Sequence, residues 1–165
     1  MAEQDWALAR ILQEIPEIDI SDVSEFPPAP DLFHLVRPET KTIEHRILTH
    51  PGASRVYKQW TLSRFEELAE QLVARGFEVV LISQNTADKN RLPASVIQKT
   101  PSDLKSFVND LASAELFVGN NSGPMNLANA LGILSVNFSG PSPEKWDPYW
   151  HREHVSNLRV PELRC

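Results

Sequence analysis

Residues 115–132 read Glu-Leu-Phe-Val-Gly-Asn-Asn-Ser-Gly-Pro-Met-Asn-Leu-Ala-Asn-Ala-Leu-Gly. Glu115–Gly119 (ELFVG) is a short apolar run of the kind that forms a buried strand. It passes through small and polar residues into Gly123–Leu131, which reads as a short helix stopped by Gly132. A strand running straight into a helix is the first half of a parallel crossover unit. The same texture extends in both directions from this stretch.

Upstream, His45–His50 (HRILTH) reads as a strand. In 62–75, Leu62, Phe65, Leu68, Ala69, Leu72 and Val73 make one helical stripe, and Gly76 is a natural stop. Ser63-Arg-Phe-Glu66 has the spacing of a capping box. Phe77–Ile82 (FEVVLI) is a buried strand, and the polar stretch Ser83–Pro93 leads to a short strand at Ser95–Gln98. Ser102 offers an N-cap for a helix whose stripe is Leu104, Phe107, Val108, Leu111 and Ala112. Downstream, Ile133–Phe138 (ILSVNF) is a strand, Ser139–Trp150 a loop, and Val155–Val160 a last strand. Alternating strands and helices with right-handed crossovers predict an α/β, Rossmann-like three-layer sandwich with a parallel sheet over 45–160, in strand order 3-2-1-4-5-6. Ligands of such sheets bind beyond the carboxyl ends of the strands, which directs attention to the loops after His50, Ile82 and Gly119.

Residues 1–44 have another character. Leu8, Ile11, Leu12 and Ile15 predict an amphipathic helix ending before Pro16, and Pro27, Pro28 and Pro30 mark 16–30 as an extended linker. The expected organisation is an N-terminal helix and proline-rich linker, 1–44, then one domain, 45–165. Its 165 residues bound the chain at about one domain. Sixteen Lys and Arg against 22 Asp and Glu leave a net charge of −6, which argues against general nucleic-acid binding. No apolar run is long enough for a transmembrane segment, and the acidic start Met-Ala-Glu-Gln-Asp is no signal peptide, so a soluble, cytoplasmic protein is expected. The one cysteine, Cys165, is terminal. His50, His151 and His154 are the residues from which a metal could be argued, but without internal cysteine or clustered carboxylates the expectation is no metal.

Chemistry concentrates in two loops. His50-Pro-Gly-Ala-Ser54 offers a tight turn at Gly52, a hydroxyl at Ser54 and, shortly after, the mobile charge of Lys58. Asn120-Asn-Ser-Gly-Pro-Met125 opens a helix behind a strand, where free amides and the helix dipole favour an anion. Gly123 lets a ligand approach the backbone, and Pro124 suits a first turn, where its missing amide costs nothing. A dipole contact contributes roughly 0.3–1 kcal/mol when exposed, too little to hold a diphosphate, so Lys58 is needed as well. A well-capped helix without ligand would use the same residue types; it is the pairing with Lys58 that favours a site.

His-Pro-Gly-Ala-Ser at 50–54 with Lys58 and Trp60, FEVVLIS at 77–83, ELFVGNNSGPMNLANALG at 115–132 and FSGPSPEKWDP at 138–148 together resemble the C-terminal half of the ADP-heptose:lipopolysaccharide heptosyltransferases, glycosyltransferase family 9. The resemblance covers about residues 45–165. It implies the donor-binding half of a GT-B fold, whose partner domain binds the acceptor and carries the catalytic base. The implied partners are a nucleotide-diphospho-sugar, ADP-heptose or similar, and a lipopolysaccharide or other glycan acceptor. The implied reaction is inverting and needs no metal or cofactor. By position, Ser54, Lys58, Ser122, Gly123, Pro124 and Met125 are expected at the donor diphosphate, and Asp88 and Ser102 near the nucleoside.

The resemblance also implies two departures near the donor sugar. The family pattern Asp-(Ser/Thr)-Gly-x-x-His reads Asn121-Ser-Gly-Pro-Met-Asn126 here. Asparagine keeps size and hydrogen bonding but loses a carboxylate at 121 and an imidazole at 126. The chain is also about half the length a two-domain member needs. Residues 1–44 are too few for an acceptor domain. The leading expectation is therefore a glycosyltransferase donor domain, with a non-catalytic nucleotide-sugar-binding or scaffold module as the alternative.

Overall fold

The computed structural model of the chain describes residues 29–83, 92–141 and 143–159. The expected N-terminal helix, most of the linker, Asp88 and Val160 lie outside the described residues. Among those described, six strands form one parallel sheet: β1 (Ile43–His50), β2 (Glu78–Ile82), β3 (Ile97–Lys99), β4 (Ala114–Asn120), β5 (Leu134–Ser139) and β6 (Val155–Arg159). Their order, β3-β2-β1-β4-β5-β6, is the expected one. Three α-helices cover it: α1 (Leu62–Ala74), α2 (Leu104–Ala112) and α3 (Gly123–Ala130).

Both faces of the central strands are buried, which is why their sequences are continuously apolar rather than alternating. Leu48, Val80, Ile82 and Phe117 pack on one face with Val108 and Leu111 of α2 and Met125 and Ala128 of α3. On the other face, Val79 and Leu81 pack with Ala69, and Ile47 and Val118 with Phe65, both from α1. Neighbouring residues such as Val79 and Val80 thus serve opposite layers, as the period of two in a strand requires. Trp60 stacks on Phe138 at 4.2 Å, closing the α1 face near the strand ends. Upstream of β1, Leu32, Leu35 and Val36 pack against the α2–α3 layer.

Glycine ends two helices as expected. Gly76 has φ +87° and Gly132 φ +71°, which L side chains rarely adopt. After α1, Gly76 donates to Val73 O (2.9 Å) and Phe77 to Leu72 O (3.1 Å); after α3, Gly132 donates to Asn129 O (2.9 Å) and Ile133 to Ala128 O (3.0 Å). Both are Schellman closures, in which two terminal carbonyls are satisfied while the chain turns into the next strand.

Three local expectations are corrected. The third strand is Ile97–Lys99 rather than Ser95–Gln98, because only Ile97, Gln98 and Lys99 pair with β2. Helix α1 starts at Leu62 with Thr61 at its N-cap, so Ser63 lies inside the helix and the capping-box reading fails. The N-cap of α2 is Asp103, not Ser102: the Asp103 carboxylate accepts from Ser106 N at 2.7 Å, and the Ser102 hydroxyl donates to Asp103 Oδ2 at 3.0 Å. These hydrogen bonds, the Ser106 amide first, hold the Asp103 carboxyl below its ordinary pKa.

Candidate functional site

Strands β1, β2 and β4 end side by side, and a cleft of about 510 Å³ opens beyond them. It is lined by His50, Gly52, Ala53 and Ser54 from the loop after β1, Gln59, Ser83 after β2, and Ser122, Gly123 and Pro124 at the start of α3. The three loops singled out by topology therefore share one cavity.

The start of α3 is uncapped. The Ser122 hydroxyl donates backward to Asn120 O at 3.0 Å and makes no cap hydrogen bond. Asn126 N bonds Ser122 O (3.2 Å), and Pro124 has no amide, so the donors left at this helix end are the amides of Gly123 and Met125, which have no partner among the described residues. A Cβ built on Gly123 meets nothing within 4 Å, so the cleft comes right up to the backbone there. Met125 is fully buried in the core and does not line the cleft, so of the two it is Gly123 that meets the cavity. This arrangement presents directed N–H groups and the positive end of the helix dipole to an anion.

The loop carrying Ser54 and Lys58 is fixed by a residue whose role the sequence did not reveal. Asn120, fully buried at the end of β4, donates Nδ2 to Pro51 O (2.6 Å) and accepts from Trp60 N at Oδ1 (2.8 Å). One side chain thus clamps both ends of the 51–60 segment. Gly140 lets the loop lie close, since a Cβ there would stand 3.3 Å from Tyr57 O and 3.4 Å from Lys58 Cα.

His50 is the second such residue. Its ring sits over Gly52, where a Cβ would meet His50 Cε1 at 2.6 Å, and its Nδ1 is buried without a hydrogen-bond partner among the described residues. Burial lowers its pKa below the ordinary histidine value, favouring the neutral imidazole. A histidine at the end of a strand is visible in sequence, but its burial is not.

Other expected residues are placed elsewhere. Lys58, at the end of the turn Val56–Lys58, lines a neighbouring cavity of about 530 Å³ with Trp60, Phe138, Gly140 and Arg159. Its ammonium lies 5.7 Å from the centre of the Trp146 ring. Gln59 lines both cavities. Ser102 is exposed and engaged with Asp103.

Of the two asparagines, Asn121 is buried and Asn126 partly so. Asn121 Nδ2 donates to Ser139 Oγ (3.2 Å) and Asp147 Oδ1 (2.9 Å), Ser139 Oγ donates to the same Asp147 oxygen (2.6 Å), and Arg159 pairs with Asp147 Oδ2 (2.7 Å). Asn126 Nδ2 reaches Ser122 O at 3.3 Å. A carboxylate is thus present next to position 121, but it comes from Asp147 and is neutralised by Arg159.

Fold and geometry together define a Rossmann-like α/β domain with a cleft at its strand ends, beside a helix start. The family model described as glycosyltransferase family 9 (heptosyltransferase) matches residues 33–165, and the chain belongs to that family. Solved structures carry the same fold. The E. coli ADP-heptose LPS heptosyltransferase II superposes with a TM-score of 0.62 at 24% identity, over 75% of this chain and 40% of that one. A glycosyl transferase family 9 protein from Veillonella parvula gives 0.63 at 18% identity, over 91% and 47%. E. coli heptosyltransferase WaaC with ADP gives 0.64 at 17% identity, over 80% and 42%. The chain thus spans less than half the length of these three. A search of curated proteins finds no match. No helix among the described residues is long and apolar enough to cross a membrane.

Proposed function

We propose that this chain is the donor-binding domain of a family 9 glycosyltransferase and holds a nucleotide-diphospho-sugar, ADP-heptose or a close relative, in the cleft at the ends of β1, β2 and β4. The observation that carries this reading is the uncapped start of α3, where helix-start amides are left without partners and Gly123 lines a cavity at the strand ends. A solved WaaC structure that shares this fold carries ADP. The diphosphate sits against those amides with the Ser54 and Ser122 hydroxyls beside it, Pro124 shaping the rim. Ser102 is assigned to the nucleoside side, and Asn121 and Asn126 to the back of the sugar.

Lys58 supplies the countercharge. It swings from the Trp146 ring over Gln59 towards the diphosphate. The cation–π contact it leaves is worth about 0.5–1 kcal/mol at an exposed position, less than a charge-assisted hydrogen bond of about 1.5–3 kcal/mol. With lysine and helix amides stabilising the leaving diphosphate, no metal is required for transfer. An acceptor hydroxyl on a glycan, lipopolysaccharide core included, attacks the anomeric carbon with inversion. The bond to the diphosphate breaks, and the hydroxyl proton passes to a base on the acceptor-binding domain.

Calorimetric titration with ADP, GDP, UDP and ADP-heptose in EDTA tests the site. One diphosphate is expected to bind saturably, and Lys58→Ala to weaken it about 10- to 100-fold. Unchanged affinity in the Lys58 variant would remove Lys58 from the site. A second reading, binding without turnover, is favoured by Asn121 being engaged with Ser139 and Asp147 instead of the cleft. It predicts donor binding with no sugar-nucleotide hydrolysis or transfer, and a gain in either when Asn126→His restores the imidazole.

A further inference from the structure

At the far end of α3 from the cleft, about 12 Å along an eight-residue helix, three ligand-type side chains converge. One ligand atom from each of His151, Glu153 and His154 lies within 4.8 Å of the other two. Glu153 Oε1 stands between the rings, 3.6 Å from His151 Nδ1 and 3.9 Å from His154 Nε2, and the imidazoles stack at 5.6 Å with an interplanar angle of 16°.

The protonation pattern is set from outside the cluster. His154 Nδ1 lies 2.8 Å from Gly132 O, and a carbonyl can only accept, so Nδ1 carries the proton and Nε2 of the neutral ring is a bare lone pair. Nε2 is the ring nitrogen that lies 3.9 Å from Glu153 Oε1. A histidine whose second nitrogen donates to a backbone carbonyl is the usual outer arrangement of a metal ligand. The other histidine is held as well: fully buried Asn129 donates to His151 O (3.0 Å) and accepts from Trp150 N (2.9 Å). The intervening Arg152 turns its guanidinium onto the Tyr149 ring, 4.2 Å from its centre.

We infer that His151, Glu153 and His154 form a binding site for a divalent d-block cation such as zinc in the loop before β6. Two imidazoles and a carboxylate are the ligand chemistry of zinc, cobalt and nickel rather than magnesium or calcium, and three protein ligands leave a fourth position for water. The site is separate from the donor cleft and takes no part in glycosyl transfer.

The test is a Co²⁺ titration of the full, tag-free chain, read by visible absorption and by competition with Zn²⁺. Tetrahedral cobalt bands displaced by zinc are expected. Saturating Zn²⁺ is expected to raise Tm by about 5–10 °C. His151→Ala and His154→Ala should each weaken binding at least about tenfold, and Glu153→Gln should weaken it too, while Cys165→Ser leaves it unchanged. All three ligand positions are half-exposed or exposed, so these variants fold, as their metal-free Tm will show. No saturation below about 1 mM, or binding indifferent to both histidine variants, would overturn the assignment.

Discussion

Asn121 shows how one side chain can be understood only with its partners. Its amide fits between Ser139 and Asp147, and Arg159 balances the one carboxylate there. Restoring the family's aspartate is therefore no simple repair. Asn121→Asp would set a second carboxylate at hydrogen-bond distance from Asp147 and delete two donated bonds. Their repulsion raises the pKa at which the pair takes up a proton. The variant should lose about 1–3 kcal/mol at neutral pH. Because the folded pKa is raised, that loss shrinks as pH falls through it and the shared proton is bound, which urea unfolding at several pH values will reveal. Equal destabilisation at all pH values would contradict the pairing. From sequence, Asn121 signals only a missing charge, because Asp147 lies 26 residues away and nothing local connects them.

The elements show a sharper division between what local chemistry settles and what it leaves open. Gly76 and Gly132 stop their helices as expected because left-handed φ is a property of the residue itself. The start of α2 was misplaced by one residue because Ser102 and Asp103 are both good caps. Only the backbone decides which of them turns first: Asp103 has extended dihedrals and its carboxylate reaches Ser106 N. Asp103→Ala should therefore destabilise the fold, lowering Tm by about 2–4 °C. Ser102→Ala should stay within about 0.5 kcal/mol. Calorimetric melts of the two variants check this, and a larger loss for Ser102 would return the cap to that residue.

Across the whole molecule, stability should be graded from the middle of the sheet outward. β1 pairs with β2 and β4, and β4 with β1 and β5, and all lie between packed layers. Among the described residues, β3 has three residues and pairs only with β2, although Lys99 forms an ion pair with Asp110 of α2, and β6 pairs only with β5 and is largely exposed. Native-state hydrogen exchange should find the slowest amides in β1 and β4 and the fastest in β3 and β6. Edge strands protected as strongly as β4 would mean that further structure covers them. The strand order itself was legible, because right-handed crossovers and the alternation of elements leave few topologies.

By itself the sequence determined whatever depends on nearest neighbours and periodicity: apolar runs buried on both faces, glycine-ended helices, a parallel sheet and the strand ends where a ligand cleft must open. It also brings Ser54, Ser122, Gly123 and Pro124 to one cleft, since loops at the ends of β1 and β4 converge in any sheet of this order. The tertiary structure alone decided which side chains face that cleft. Lys58 lies over Trp146, Met125 is in the core, Asn121 serves Asp147, and Asn120 clamps the 51–60 loop. It also set Glu153 between two histidines held by Gly132 and Asn129. The physical reason is the same in each case. Hydrogen bonds, ring contacts and burial are made between residues distant in the chain, and their geometry exists only once the layers have packed.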